Sequence, residues 1–129
     1  ACDAQAQQGA QDMADFTKRL TDIQGRMETF GTALPDVMGA FGTLHETATA
    51  DGALTHKTKE LIALAIGIAV HCDGCIAFHV HDALEAGATR DEIVETVGVA
   101  VLMGGGPAVV YGTDALEALD QFEAQLTTA

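Results

Sequence analysis

The sequence predicts an all-α fold, a single domain of about six helices spanning residues 1–129. Apolar residues recur every three or four positions through most of the chain, which is the spacing of one helix face. No segment alternates convincingly between apolar and polar residues as a strand does, although VGVAVLM taken alone resembles a buried strand. With no Trp, one Tyr and five Phe, the core must be built from small aliphatic residues, which suits closely packed helices.

The N-terminal region predicts a tail followed by one helix. Residues 1–10, rich in Ala and Gln, have the composition of a disordered tail, and Cys2 within it is given no role. A helical pattern of apolar residues then runs from Asp12 to about Phe30, and Gly31 is expected to end it.

Helix signals continue through the middle of the chain. Pro35 fits the first turn of a second helix, and the stretch TATADG is expected to end it. Its apolar stripe consists of Val37, Met38, Phe41 and Leu44. Thr55 is a plausible N-cap for a third helix that runs to about Val70.

Capping signals predict three more helices. A fourth helix starts in HCDGC and runs to Ala86, with Gly87 as its C-terminal stop. Thr89, with Glu92 three residues later, predicts a capping box that opens a fifth helix. The run GGG ends that helix, and Pro107 fits the first turn of the sixth.

Two runs, LIALAIGIAV and VGVAVLMGGG, are apolar on every side, so helices formed by them must be surrounded. A chain this short can hardly supply the surrounding layer, and the sequence therefore predicts a homo-oligomer. Gly67 and Gly98 lie inside these helices and are expected where backbones approach closely. The first run has roughly half of the ~20 residues that a membrane-spanning helix needs.

The formal net charge of −13 argues against nucleic acid and against an anionic membrane surface as partners, because both attract basic proteins. The N-terminal stretch lacks the basic start and apolar core of a secretory signal. Three cysteines, two of them in a CxxC motif, are typical of a reducing compartment with one working dithiol, so a cytoplasmic protein is expected.

The stretch HCDGCIAFHVH, residues 71–81, carries the candidate chemistry. Cys72 and Cys75 are three residues apart, which places them on one face of a helix, close enough to form a disulfide. The start of a helix favours a thiolate through its free N–H groups and dipole. His79 lies one turn beyond Cys75 and is placed to take its proton. His81 is interpreted as a surface residue, and the role of His71 stays open.

Other interpretations of the CxxC remain. Zinc could bind Cys72, Cys75, His79 and either His71 or His81, but no second Cys or His pair follows residue 81. Attachment of c-type haem needs His directly after the second cysteine, where Ile76 stands. A thioredoxin-like motif needs a βαβ setting, which is absent. Two buried structural cysteines are a further alternative.

Glu60 taken alone is explained by its place in the first turns of a helix. It stands twelve residues before Cys72, about 18 Å along a continuous helix. Glu60 can therefore approach the dithiol region only if the chain turns near His71 and the next helix folds back.

The pattern Glu60, Cys72, Cys75, His79, written E-x11-C-x2-C-x3-H, resembles the signature of alkylhydroperoxidase D-like proteins, part of the wider carboxymuconolactone decarboxylase superfamily. Residues 59–119 resemble the family core nearly from end to end. The resemblance implies an all-helical fold and obligate oligomers, with hexamers or trimers favoured for this short type. It also implies peroxidase or disulfide-reductase activity.

The resemblance assigns roles to all four positions. Cys75 would be the thiolate that attacks the peroxide and Cys72 the resolving thiol, while His79 would be the base and Glu60 would complete a proton relay. Some longer members carry His directly before the second cysteine, where this chain has Gly74. One relay member is therefore missing, or His71 replaces it.

The resulting hypothesis is a thiol-dependent peroxidase or oxidoreductase that takes a hydroperoxide as substrate and needs no cofactor or metal. Because the chain has no nucleotide-binding motif, a dithiol donor such as a thioredoxin-like or lipoyl protein is expected to restore the thiols. One alternative is a lactone decarboxylase, for which the six Lys and Arg residues supply few basic groups. Another is a non-enzymatic oligomeric protein whose dithiol senses redox state or binds metal.

Overall fold

The computed structural model describes residues 4–5 and 15–127 and contains six long helices within the second range. They are α1 (Phe16–Ala33), α2 (Pro35–Thr49), α3 (His56–Ala69), α4 (Asp73–Glu85), α5 (Arg90–Gly104) and α6 (Gly106–Thr127). The described residues include no strand, and the predicted all-α class is confirmed. Most of the predicted tail, including Cys2, lies outside the described residues.

Capping groups set several helix ends where the sequence predicts them. The Thr55 hydroxyl accepts the Thr58 N–H at 3.2 Å at the start of α3. Thr89 and Glu92 form both hydrogen bonds of the capping box that opens α5. Gly87, with φ of 93°, takes the left-handed conformation just beyond α4. These ends are predictable because each depends on neighbouring residues alone.

Both ends of α1 differ from the prediction. The Asp15 carboxylate accepts the Lys18 N–H at 3.1 Å, so the helix begins after this cap rather than at Asp12. The prediction that Gly31 ends α1 is wrong, because the helix continues to Ala33. The physical stop is Pro35, since a residue that precedes proline is disfavoured in helical backbone.

α3 lies at the centre of the fold, where it packs against α4, α5 and α6, while α1 packs across α4 and α6. The largest fully buried apolar side chains are Leu64, Ile68, Ile76, Val80, Ile93 and Leu119. α2 contacts α1 and α3 but buries none of its residues. None of the helices in the described part of the chain is long and apolar enough to cross a membrane.

Large apolar side chains are exposed on one face of several helices. They include Val37, Phe41 and Leu44 on α2, Ile62 and Ile66 on α3, Val99, Leu102 and Met103 on α5, and Val109 and Val110 on α6. The single chain therefore covers only part of each of the two apolar runs.

Candidate active site at the turn between α3 and α4

The chain reverses direction between α3 and α4 at His71, whose φ of 61° lies in the left-handed region that non-glycine residues rarely adopt. The Cys72 N–H donates to the carbonyl of Gly67 at 3.0 Å and closes the end of α3. As a result α4 packs back along α3. This is the turn that a contact between Glu60 and the CxxC helix requires.

Cys72 and Cys75 are joined as a disulfide at the start of α4, with their Cα atoms 5.2 Å apart. Cys72 is the N-cap rather than a residue of the first turn, and its Sγ accepts the Cys75 N–H at 3.2 Å. Both cysteines are partly exposed. A thiolate formed at Cys72 on reduction would keep this N–H donor and the positive end of the helix dipole.

Two glycines allow other groups to approach the dithiol closely. A Cβ on Gly67 would lie 3.0 Å from Cys75 Cβ, so α3 and α4 meet here at a distance that favours glycine. A Cβ on Gly74 would lie only 2.8 Å from Cδ1 of Ile23 on α1. A side chain at position 74 would therefore require the Ile23 side chain to move, and glycine leaves that space to Ile23.

Glu60 and His79 meet across the α3–α4 contact. Glu60 Oε2 accepts a hydrogen bond from Nδ1 of His79 at 2.8 Å, and the glutamate side chain is 1% exposed against 20% for the histidine. Because a carboxylate can only accept, Nδ1 carries the proton and Nε2 is left to exchange one. The structure thus brings together two of the four predicted site residues and holds the other two at the start of the same helix.

The second carboxylate oxygen of Glu60 lies in different surroundings. Oε1 is buried and has no hydrogen-bond partner among the described residues, and Nε2 of His56 lies 3.9 Å away. His45 and Asp82 also place ligand atoms within 4.8 Å of Glu60 and of each other. Sequence reasoning selected none of His45, His56 and Asp82 as site residues, because His45 and His56 can contribute only if the chain folds back. The available signals were the spacings of His56 with Glu60 (i, i+4) and of His79 with Asp82 (i, i+3).

The two remaining histidines of the motif are held by aromatic rings. His71 stacks on Tyr111 of α6, with ring centroids 4.6 Å apart and planes 8° from parallel. His81, interpreted as a surface residue, keeps 31% of its side chain exposed, while its ring packs edge-on against Phe122 and Nδ1 pairs with Asp82 at 2.9 Å. His71 therefore borders the dithiol while being tied to α6.

Acidic residues flank the dithiol on the side of α6. Burial raises the pKa of Asp114 above its ordinary value of 3.8, and the negative charges of Asp73 and Glu117 raise it further. Asp73 is the residue directly after Cys72 in α4. The dithiol end of the helix is thus close to carboxylates as well as to the helix dipole.

An open groove of ≈340 Å³ lies on α1 and is lined by Arg19, Ile23, Arg26, Met27 and Phe30. It adjoins the dithiol helix, because Ile23 is the residue that faces Gly74. The groove combines apolar side chains with two of the chain's six basic residues.

Comparison with known protein families gives a match over most of the chain. Residues 35–118 match the model of the carboxymuconolactone decarboxylase family, which is most of the chain. The chain belongs to this family. The matched stretch contains every predicted site residue, along with His45, His56 and Asp82.

Two uncharacterised proteins are similar to most of the chain. An uncharacterised protein of Cupriavidus necator is 39% identical over 110 residues, covering 85% of this chain and 97% of that protein. An uncharacterised protein of the cox locus of Paracoccus denitrificans is 37% identical over 112 residues, covering 86% and 98%.

Solved structures have the same fold. The crystal structure of a carboxymuconolactone decarboxylase family protein from Legionella pneumophila has a TM-score of 0.81 and 46% identity, covering 83% of this chain and 96% of that one. A family protein from Thermotoga maritima has a TM-score of 0.78 at 23% identity, covering 86% and 95%, and extends the likeness of fold.

Proposed function

We propose that this protein is a thiol-dependent peroxidase that reduces hydroperoxides at the Cys72–Cys75 dithiol, with His79 and Glu60 as its proton relay. The observation that carries the proposal is the 2.8 Å hydrogen bond between buried Glu60 and His79, on the same helix that presents the dithiol. Membership of a family with many enzymes supports a catalytic role.

The oxidative half-reaction starts from the reduced dithiol. Nε2 of His79 takes the Cys75 proton, and the thiolate attacks the distal oxygen of the hydroperoxide. The O–O bond breaks, Cys75 becomes a sulfenic acid, and the alkoxide takes the proton back from His79 and leaves as an alcohol. Cys72 then attacks the Cys75 sulfur, which forms the disulfide and releases water.

The reductive half-reaction needs an external dithiol, because the chain carries no nicotinamide or flavin motif. A thioredoxin-like or lipoyl protein attacks the disulfide, and a second exchange returns both cysteines to thiols. The helix dipole and the Cys75 N–H make Cys72 the better leaving thiolate. A reducing cytoplasm would keep such a donor available.

The experiment measures consumption of cumene hydroperoxide by the reduced protein in the presence of excess dithiothreitol. Cys75→Ser should abolish turnover, whereas Cys72→Ser should consume about one equivalent of peroxide per chain under donor-free conditions. Glu60→Gln and His79→Asn should slow turnover about a hundredfold, the usual size of a general acid–base contribution.

Cys2→Ser is the matched control, because it is the same chemical change at a cysteine outside the proposed site. It should leave the rate unchanged. Peroxide consumption by Cys75→Ser at the wild-type rate would refute the assignment.

The groove on α1 favours a second candidate, the lactone decarboxylase activity in the family's name. Arg19 and Arg26 could bind the carboxylates of such a substrate beside the dithiol helix. Release of CO₂ from a carboxylated lactone, lost in Arg19→Ala but retained in Cys75→Ser, would support this candidate over the peroxidase.

The assembled protein is proposed to be a homo-oligomer, with a trimer or hexamer favoured. The apolar side chains exposed on α2, α3, α5 and α6 support this proposal, since a second copy of the chain would remove them from water. The family's short members are expected to assemble in this way.

A further inference from the structure

Three helices bring metal-ligand side chains together around Glu60. His45 comes from α2, Glu60 from α3 and Asp82 from α4, and each offers one ligand atom within 4.8 Å of the others. Glu60 is fully buried, and Oε1 has no hydrogen-bond partner within residues 4–5 and 15–127. A buried carboxylate oxygen without a partner is costly, so something of positive charge belongs beside it.

His56 is oriented as a metal ligand would be. Its Nδ1 lies 2.8 Å from the carbonyl of Thr49, which can only accept, so the ring proton is on Nδ1. The lone pair is then on Nε2, 3.9 Å from Glu60 Oε1. A histidine that donates one ring N–H to a carbonyl and offers the other nitrogen is the usual arrangement around a bound metal.

The distances suit one cation. Ligand atoms that are each about 2.0–2.2 Å from zinc can be at most about 4.3 Å apart. The 3.9 Å gap between His56 Nε2 and Glu60 Oε1 fits this limit. The ligand atoms of His45, Glu60 and Asp82 lie within 4.8 Å of one another, and His56 must turn to complete this set. Asp82 is itself held by His81 at 2.9 Å, as metal-binding carboxylates commonly are.

We propose that His45, Glu60 and Asp82, with His56 turned toward them as a fourth ligand, form a binding site for a divalent cation of the zinc class, a function separate from the peroxidase proposal. Two imidazoles and two carboxylates suit zinc, whereas magnesium prefers all-oxygen octahedral sites. Bound metal joins α2 to α3 and α4, and so anchors a helix that buries none of its own residues. It occupies Oε1 of Glu60 while Oε2 keeps its bond to His79.

The test uses isothermal titration of ZnCl₂ into the full chain carrying Cys2→Ser, with the dithiol held as its disulfide so that no thiolate competes. One zinc per chain is expected, together with a higher melting temperature, and MgCl₂ should produce neither effect. His45→Ala and His56→Ala, both at partly or fully exposed positions, should each weaken zinc binding at least tenfold. Glu60→Gln should abolish it.

The control tests whether zinc binds instead at a neighbouring cluster of possible ligands. His81, Asp82 and Glu85 also have ligand atoms within 4.8 Å of one another, and this second group is more exposed. Glu85→Gln should leave zinc affinity unchanged if the proposed site is correct. Affinity that falls in Glu85→Gln and persists in His45→Ala would overturn the proposal, as would absence of zinc uptake by the parent chain.

The two proposals can fail separately. Zinc binding is measured on the disulfide form without peroxide turnover, so loss of the peroxidase assignment would not affect the titration. Should Glu60→Gln fail to fold, the two histidine variants still decide the question.

Discussion

α2 and α3 are neighbours in the chain, and both carry many apolar residues, yet their surroundings are opposite. α3 buries Glu60, Leu64, Gly67 and Ile68 against the rest of the fold, whereas α2 buries nothing. The buried face of α3 is covered inside one chain, although Ile62 and Ile66 on its other side are exposed. The stripe on α2 has no such partner within the chain, so its apolar residues point to a contact outside it.

The largest effect is expected where that outside contact is broken. Leu44 on α2 is 62% exposed in the single chain, so a free monomer would tolerate Leu44→Lys with little change. In an oligomer the substitution buries a charge, which costs several kcal/mol at least and should dissociate the assembly. Sedimentation should show a multiple of the 13.3 kDa chain for the wild type and a smaller mass for the variant.

Leu126→Lys is the matched control, because Leu126 is 61% exposed near the end of α6 and outside the apolar stripe of α2. It should leave the mass unchanged. If both variants assemble like the wild type, α2 does not form the subunit contact.

A smaller effect on the free energy of unfolding is expected from alanine substitutions at Gly67 and Gly98, with opposite signs at the two positions. A Cβ at Gly67 would lie 3.0 Å from Cys75 Cβ, which is held by the disulfide, while a Cβ at Gly98 meets no described atom within 4 Å. Gly67→Ala should therefore lower the free energy of unfolding by about 1–2 kcal/mol through overpacking. Gly98→Ala should raise it by up to about 1 kcal/mol because alanine is the better helix former. Urea denaturation measures both.

The sign of the change in unfolding free energy caused by Gly98→Ala tests whether α5, like α2, makes a contact outside the single chain. The sequence predicts close backbone approach at both glycines, and within a single chain this prediction is wrong for Gly98. Destabilisation by Gly98→Ala would mean that a second chain packs against α5 at that point.

The sequence predicts features that depend on near neighbours in the chain. The caps at Thr55 and Thr89 and the stop at Gly87 are of this kind, and the helix class follows from periodicity. The end of α1 was harder, because a helical glycine such as Gly31 is tolerated wherever nothing else stops the helix.

The candidate site was only partly predictable from sequence, because some of its contacts join residues on different helices. Cys72, Cys75 and His79 share one helix and follow from its geometry, whereas the meeting of Glu60 with His79 depends on the left-handed turn at His71. The cluster around Glu60 draws on three helices, and no spacing rule places α2 against α3.

The smallest effect concerns charge at the dithiol end of α4. Burial, followed by the charges of Asp73 and Glu117, raises the pKa of Asp114 in the folded protein, so folding favours its protonated form. This stabilising contribution is complete below the ordinary value of 3.8 and is lost as pH rises through the raised pKa. Asp114→Asn removes the charge and should raise the melting temperature at pH 7 by about 1–2 °C, a small shift because the site is partly solvated.

The pH dependence of the melting temperature tests whether the charge of Asp114 causes this effect. Near pH 3, where Asp114 is protonated in both states, the variant and wild type should melt at nearly the same temperature, and the difference should grow as pH rises. Glu95→Gln, an exposed carboxylate on α5, is the control and should show no such growth. A pH-independent gain from Asp114→Asn would assign the effect to packing or helix propensity, and the carboxylates around Asp73 would then impose no electrostatic strain on the dithiol end of α4.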